Sequence, residues 1–271
     1  MSSHSPKTAL VTGASAGIGR ASAEALARAG FTVFGTSRKP SETIAGPVSM
    51  LACDVTQEDS IASVVTHILS CTGRIDVLVN NAGLGLFGGA EESSAAQVQH
   101  LFDVNLFGAI RVINAVLPTM RAQGQGRIIN MSSALGFVPA PYSAHYAASK
   151  FALEGYSESL DHEIRAFNIR VSLIEPGTVT GSFDQNALEP DRKMAEYDAA
   201  RAWVRGFIQK ALLTAVTPED VAGAVRLAAT APRQQLRYPV GTVAKQVSLL
   251  RRLTPARVFD RVLRQQFGLP R

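Results

Sequence analysis

From Lys7 onward, short runs of β-branched and other apolar residues alternate with longer stretches in which apolar positions recur every three or four residues. The runs 8–12, 32–36, 48–53, 77–80, 127–132 and 170–174 predict strands, and the stretches 18–29, 57–70, 95–120 and 144–167 between them predict helices. Several strand runs are apolar throughout rather than alternating, as strands covered on both faces must be. This α/β order predicts a doubly wound parallel sheet, whose ligands bind beyond the carboxyl ends of the strands. After Pro176 the rhythm changes: 178–188 reads as loop, 192–213 and 218–229 as helices, with Thr217 as N-cap of the last. A single domain spanning 1–271 is expected, with 178–213 as a substrate lid and 241–271 as a C-terminal helical extension.

Between the first predicted strand and helix lies Thr12-Gly13-Ala14-Ser15-Ala16-Gly17-Ile18-Gly19. Glycines there let the chain turn tightly and let backbone approach a pyrophosphate, which the helix N-terminus attracts. The spacing is GxxxGxG rather than the GxGxxG of the general dinucleotide fingerprint, and a plain tight turn is the competing explanation. A second motif joins Asn130-Met131-Ser132-Ser133, ending a strand, to Tyr146-Ala147-Ala148-Ser149-Lys150, opening a helix. Four residues apart on a helix, Tyr146 and Lys150 share a face, and the ammonium would draw the phenol down from its reference value of about 10 toward acid/base work. Such a pair also arises by chance on amphipathic helices, so its weight comes from its company.

These motifs, with Asn80-Asn81-Ala82-Gly83 after a strand, Asn105 and Pro176-Gly177, resemble the short-chain dehydrogenase/reductase family in its single-domain, Rossmann-like form, over residues 7 to about 227. Within it the chain resembles hydroxysteroid/retinol-type and carbonyl-reducing members. The resemblance implies hydride transfer between a nicotinamide and an alcohol/carbonyl pair. It assigns Tyr146 as acid/base; Ser133, thirteen residues earlier, orients the carbonyl; Lys150 lowers the phenol and binds the nicotinamide ribose; Asn105 helps hold a water in a proton relay. On the cofactor side it implies Gly13, Ser15, Gly17, Ile18 and Gly19 at the phosphates, Asp54 and Val55 at the adenine, Asn81, Ala82 and Gly83 beside the adenosine ribose, and Pro176, Gly177 and Val179 over the nicotinamide. For Asp54 a capping role before Gln57 competes. Where relatives carry a threonine five residues after the proline, this chain has Gly181, leaving Thr180 or Ser182 to reach the carboxamide.

Cofactor choice has a physical basis. An acid after the second strand suits the ribose hydroxyls of NAD, whereas an arginine suits a 2′-phosphate. The second strand here runs into Gly35-Thr36-Ser37-Arg38-Lys39 with no acid, so Arg38 favours NADP(H) over NAD(H).

The remaining composition narrows the classes. Residues 1–7 are polar and too short for a secretion signal, so a cytoplasmic protein is expected. Cys53 and Cys71 have no CxxC spacing or clustered histidines, so no metal site or disulfide framework is expected. The net charge of +5 lacks any nucleic-acid-reading pattern; the excess sits late, at Arg251, Arg252, Arg257, Arg261, Arg264 and Arg271. Residues 243–267 form an amphipathic helix pair broken near Pro255. Packing over the cleft or a neighbouring subunit is expected for it, with attachment to a membrane surface the minor alternative. Phe137, Val138, Tyr142, Phe183 and Trp203 are candidates for an apolar substrate pocket. By analogy with relatives, a homodimer or homotetramer is expected. A catalytically silent NADP(H)-binding sensor or scaffold is the alternative function; it would be expected to lose members of the Ser/Tyr/Lys set, all of which are present. A nucleotide-sugar epimerase or dehydratase is not expected, since such relatives usually have longer chains with a larger substrate domain.

Overall fold

The computed structural model describes residues 6–39, 46–181, 183 and 186–266; of the residues singled out above, Met1, Ser182, Phe267 and Arg271 lie outside this set. Seven parallel strands make one sheet: β1 (Thr8–Val11), β2 (Thr32–Ser37), β3 (Val48–Ala52), β4 (Val77–Asn80), β5 (Gly126–Met131), β6 (Ile169–Pro176) and β7 (Arg237–Val240), in the order β3-β2-β1-β4-β5-β6-β7. Helices α1 (Gly17–Arg28) and α7 (Pro218–Thr230) cover one face; α2 (Glu58–Thr72), α4 (Gly108–Gln123) and α5 (Ala144–Ile164) cover the other, with α3 (Ala95–Phe102) leading into α4. Strand alternation feeds both layers. Leu10 packs with Ile68, Val112 and Val171 on one side, while Ala9 and Val11 pack with Leu26, Val221 and Val225 on the other. That double burial is why β1 and β4 read as unbroken apolar runs.

The chain winds outward from β1 to β3 and then restarts on the opposite side at β4, so a crevice opens at the carboxyl ends of β1 and β4. The loops after β1, β4, β5 and β6 surround it.

Three elements depart from the sequence pattern. The predicted helix 95–120 extends to Gln123 and contains a π turn at Asp103–Phe107, which separates α3 from α4 and carries Asn105. By length and composition the stretch Ala95–Gln123 is apolar enough to cross a membrane, yet Leu101, Val112, Ile113, Val116 and Met120 are buried in the protein core. The predicted helix 192–213 begins only at Asp198, as α6 (Asp198–Leu212), because the amides of Arg192 and Met194 are drawn into bonds with Glu92. Strand β7 has no counterpart in the prediction: four residues long and interrupted by Pro239, it survives as an edge strand where a missing N–H does no harm. The tail forms α8 (Thr242–Leu253) and α9 (Ala256–Gln266), parted at Thr254-Pro255 as its sequence predicts.

Candidate active site

The glycine loop after β1 is built by close backbone approach. Gly13 and Gly17 hold left-handed backbone at φ +66° and +52°. A Cβ on Gly19 would lie 2.1 Å from the Gly13 carbonyl oxygen and 2.4 Å from Asn81 Nδ2, so no other residue fits. The loop is tied to the segment after β4 through Asn81, whose Nδ2 donates to the carbonyls of Thr12 and Gly13 at 3.0 Å each. The amides of Asn81 and Ala82 both donate to Thr12 Oγ1 at 3.0 Å. Helix α1 starts at the exposed Ala16 with no side-chain cap and no acid in its first turn, leaving its N-terminal amides and partial positive charge for an anionic ligand. Ser15 is exposed beside it, and Ile18 packs partly against the core.

Two positions expected at the adenine also make contacts within the protein. Asp54 Oδ1 accepts from the Thr56 amide (2.9 Å) and hydroxyl (2.8 Å), which hold its carboxyl below the usual range and shape the turn into α2; the N-cap itself is Gln57. Val55 is buried, its side chain against Gly108. Arg38, exposed at the end of β2, is close enough for its charge to act on Asp54.

The π turn brings Asn105 inward. Its Oδ1 accepts from the Leu84 amide at 2.7 Å, and its Nδ2 donates to the Leu84 carbonyl at 2.9 Å and to Ser149 Oγ at 3.1 Å. It therefore clamps the loop after β4 to α5, one residue from Lys150, and both Asn105 and Lys150 border Gly83. Lys150 is buried, donates from Nζ to the Met131 carbonyl at 2.9 Å, and lies 5.7 Å from the centre of the Tyr146 ring. Burial lowers its ammonium to about 8, against the opposing pull of the Glu154 carboxylate one turn further on. Glu154, itself raised by burial, is paired with Arg237 of β7 at 2.6 Å; the same guanidinium reaches Glu158 at 2.6 Å and Glu175 at 2.9 Å.

Ser133 ends the β5 turn, half-buried, its Oγ accepting from the Leu135 amide at 3.1 Å. Tyr146 is flanked by Phe87 and Phe183, with ring centres 5.6 and 6.0 Å away. Of the five apolar pocket candidates, Phe183 is the one whose ring lies against Tyr146. Tyr142 packs on Tyr197, Trp203 stacks on Phe207, and Val138 is buried. The turn after β6 places Gly177 beside Ala244 of α8, with its amide donating to the Val240 carbonyl at 3.2 Å. Val179 bridges to Val216, and Thr180, exposed, donates its amide to the Val216 carbonyl at 2.8 Å.

Beyond this turn the chain is fastened across the loop after β4. Glu92, fully buried, accepts from the amides of Gly89 (2.8 Å) and Met194 (2.9 Å) and pairs with Arg201 of α6. Ser94 meets Asp191 (2.5 Å), Gln97 meets the Glu189 carbonyl (2.8 Å) and Tyr197 meets Glu91 (2.6 Å). Glu92, Arg201, Phe87, Ser149 and Arg237 were not singled out from the sequence; in each case the partner that gives them meaning lies far along the chain or on a short loop without periodicity.

The short chain dehydrogenase family profile matches residues 7–193. The chain is 46% identical over 181 residues to the 3-ketodihydrosphingosine reductase of Bacteroides thetaiotaomicron, covering 67% of each protein. A short-chain dehydrogenase structure from Streptomyces avermitilis superposes with a TM-score of 0.81 at 33% identity, covering 96% of this chain and 98% of that one. A metagenomic short-chain oxidoreductase solved in complex with NADP superposes with a TM-score of 0.69 at 33% identity, over 87% of this chain and 97% of that one. With the sheet order, the glycine loop and the Ser/Tyr/Lys constellation already in place, these likenesses establish that the chain belongs to the short-chain dehydrogenase family of oxidoreductases.

Proposed function

We propose that this protein is an NADP(H)-dependent oxidoreductase acting on the CH–OH group of an apolar alcohol or on the matching ketone or aldehyde. The observation that carries this reading is the buried Lys150 ammonium held 5.7 Å from the Tyr146 ring by the Met131 carbonyl, in a fold whose glycine loop leads into a helix that its N-cap, Ala16, does not cap with a side chain. The fit for a dinucleotide is physical: Gly13, Gly17 and Gly19 allow backbone to reach phosphates, and β2 is followed by the exposed Arg38, with no acid at the end of the strand to bind ribose hydroxyls in its place. The nicotinamide supplies or accepts the hydride when bound.

The chain's own residues handle the proton and the oxygen. Tyr146 donates its phenolic proton to the carbonyl oxygen during reduction and takes one back during oxidation. Ser133 Oγ–H donates a hydrogen bond to that oxygen and fixes its orientation. Lys150 keeps positive charge next to the phenolate that forms, and Asn105 holds the loop bearing Gly83 against α5 so that this charge stays in place. Pro176, Gly177 and Val179 cover the nicotinamide end, and the segment 178–213 closes the substrate side. Phe87 and Phe183 give the reacting group an apolar wall, which accords with a relative named for reducing 3-ketodihydrosphingosine.

The test is oxidation of NADPH against NADH with a panel of aldehydes, apolar ketones, steroids and retinoids, run beside Tyr146→Phe. The variant should lose about 10² to 10⁴ in kcat while binding NADPH normally. For reduction, kcat/KM should fall as pH passes about 8, where Lys150 of the free enzyme gives up its charge. Arg38→Ser should erode the preference for NADPH by at least about tenfold. Undiminished turnover in Tyr146→Phe would refute the assignment.

A further inference from the structure

Helix α8 leaves most of its large apolar side chains in solvent. The side that meets the protein presents Ala244, completely buried, and the partly buried Val247, while Val243, Leu249, Leu250 and Leu253 are 54, 61, 52 and 75% exposed. Helix α9 repeats the pattern with Val258 and Val262 exposed next to an arginine row, Arg257, Arg261 and Arg264, spaced along one face. The Arg251 guanidinium sits 5.0 Å from the centre of the Phe259 ring, joining the two helices. Residues 242–266 hold Lys245, Arg251, Arg252, Arg257, Arg261 and Arg264 against one acid, Asp260, which is paired with Arg264; this excess equals the formal +5 of the whole chain.

We infer that α8 and α9 form a docking surface for an anionic lipid bilayer. Charge complementarity selects this occupant. Two copies meeting through this face would bring their arginine rows together with no acid left to answer them. Among the described residues of α8 and α9 the exposed large apolar side chains are all aliphatic, and 242–266 holds no tryptophan, tyrosine or methionine, three of the types enriched at protein interfaces. Aliphatic side chains flanked by arginines are what a helix lying in the headgroup region presents.

Position strengthens the case. Helix α8 starts beside Gly177 and touches the short turn Ala134–Gly136 that follows Ser133, so the docking face adjoins the rim of the cleft. On the function proposed above, docking would put that rim where apolar alcohols and ketones partition. The inference itself is independent of catalysis, since its readout is binding.

The full chain is sedimented with phosphatidylcholine vesicles and with vesicles containing phosphatidylglycerol, at low and high salt. It should bind the anionic vesicles at least about tenfold more tightly, with the difference shrinking in high salt. Two sets of exposed substitutions, Arg257→Glu with Arg261→Glu, and Leu249→Ser with Leu253→Ser, should each reduce that binding at least about tenfold with circular dichroism unchanged. The inference is overturned by absence of anionic-vesicle binding at low salt, or by equal binding of the charge-reversed variant. It is equally overturned if the leucine variant dissolves a self-associated species while neither protein binds vesicles, which would make a second copy the occupant.

Discussion

Around the glycine loop, backbone atoms approach so closely that a single added carbon has nowhere to go, and the loop is braced by hydrogen bonds from Asn81 and Thr12. Across the cleft, the segment from Glu189 through α6 contributes no buried residue from α6 at all, and is held by a handful of side-chain bonds to the loop after β4. The family match covers residues 7–193 and so ends within this loosely fastened segment, before α6. A wall that must present backbone amides to a cofactor has to be rigid at atomic distances. A wall that must admit and release substrates is better fastened at a few points that can let go, since mobile elements are drawn from the low-stability end of a structure.

The sharpest test of that contrast is Gly19→Ala. Alanine is favoured over glycine inside a helix by about 1 kcal/mol. Here the new methyl would stand 2.1 Å from the Gly13 carbonyl oxygen and 2.4 Å from Asn81 Nδ2, so sterics decide, and the loop must move. NADPH affinity should drop at least about 100-fold, or the protein should fail to accumulate in soluble form. Gly155→Ala in α5 is the matched control, because nothing lies within 4 Å of its added carbon; it should be neutral or slightly stabilising. If both variants bind NADPH like the parent, close approach is not what makes the loop.

The same contrast explains what could be read from the sequence. The loop glycines, Asn81, Tyr146 and Lys150 announce themselves because their chemistry fixes residue types at local spacings, within one turn or one helix. The doubly wound sheet was legible for the same reason: β1, β4 and β5 are buried on both faces, so their patterns are unambiguous. Glu92 and Met194 lie 102 residues apart, and Glu154 and Arg237 lie 83 apart, so neither partnership leaves a mark in any window of sequence. Strand β7 was hidden by its length and by Pro239, and the π turn by the fact that it preserves an apolar pattern while inserting one extra residue per turn. The exposure of the α8 leucines could not be seen either, because amphipathic spacing shows that a face exists and not how much of it is covered.

Of intermediate size is the effect of Glu92→Ala. The substitution leaves the amides of Gly89 and Met194 without their acceptor and takes from the nearly buried Arg201 its buried partner, leaving it Asp198 and the Met194 carbonyl; breaking a buried pair costs up to about 3–5 kcal/mol. If the far wall is fastened at separate points, that cost is spent locally. Amide exchange over 189–212 should accelerate at least about tenfold and KM should rise, while NADPH affinity and the global unfolding midpoint stay near those of the parent. A large fall in the midpoint would mean that this wall is continuous with the core after all.

The smallest effect discriminates most finely, because it concerns a polar bond of the same kind placed just past the end of that wall. Thr217 caps α7: its Oγ1 accepts from the Asp220 amide at 3.2 Å, and the Asp220 carboxylate accepts from the Thr217 amide at 2.9 Å. Thr217→Ala should cost about 1 kcal/mol. Helix α7, however, buries Val221, Ala222 and Val225 against α1 and the sheet, so it unfolds with the core and not with α6. The loss should therefore appear as a fall of roughly 2–4 °C in the unfolding midpoint, with exchange over 189–212 unchanged. A weaker bond would thus register globally where the stronger Glu92 cluster registers locally, and the order of the two midpoints, rather than either value, decides whether the two walls are separate units.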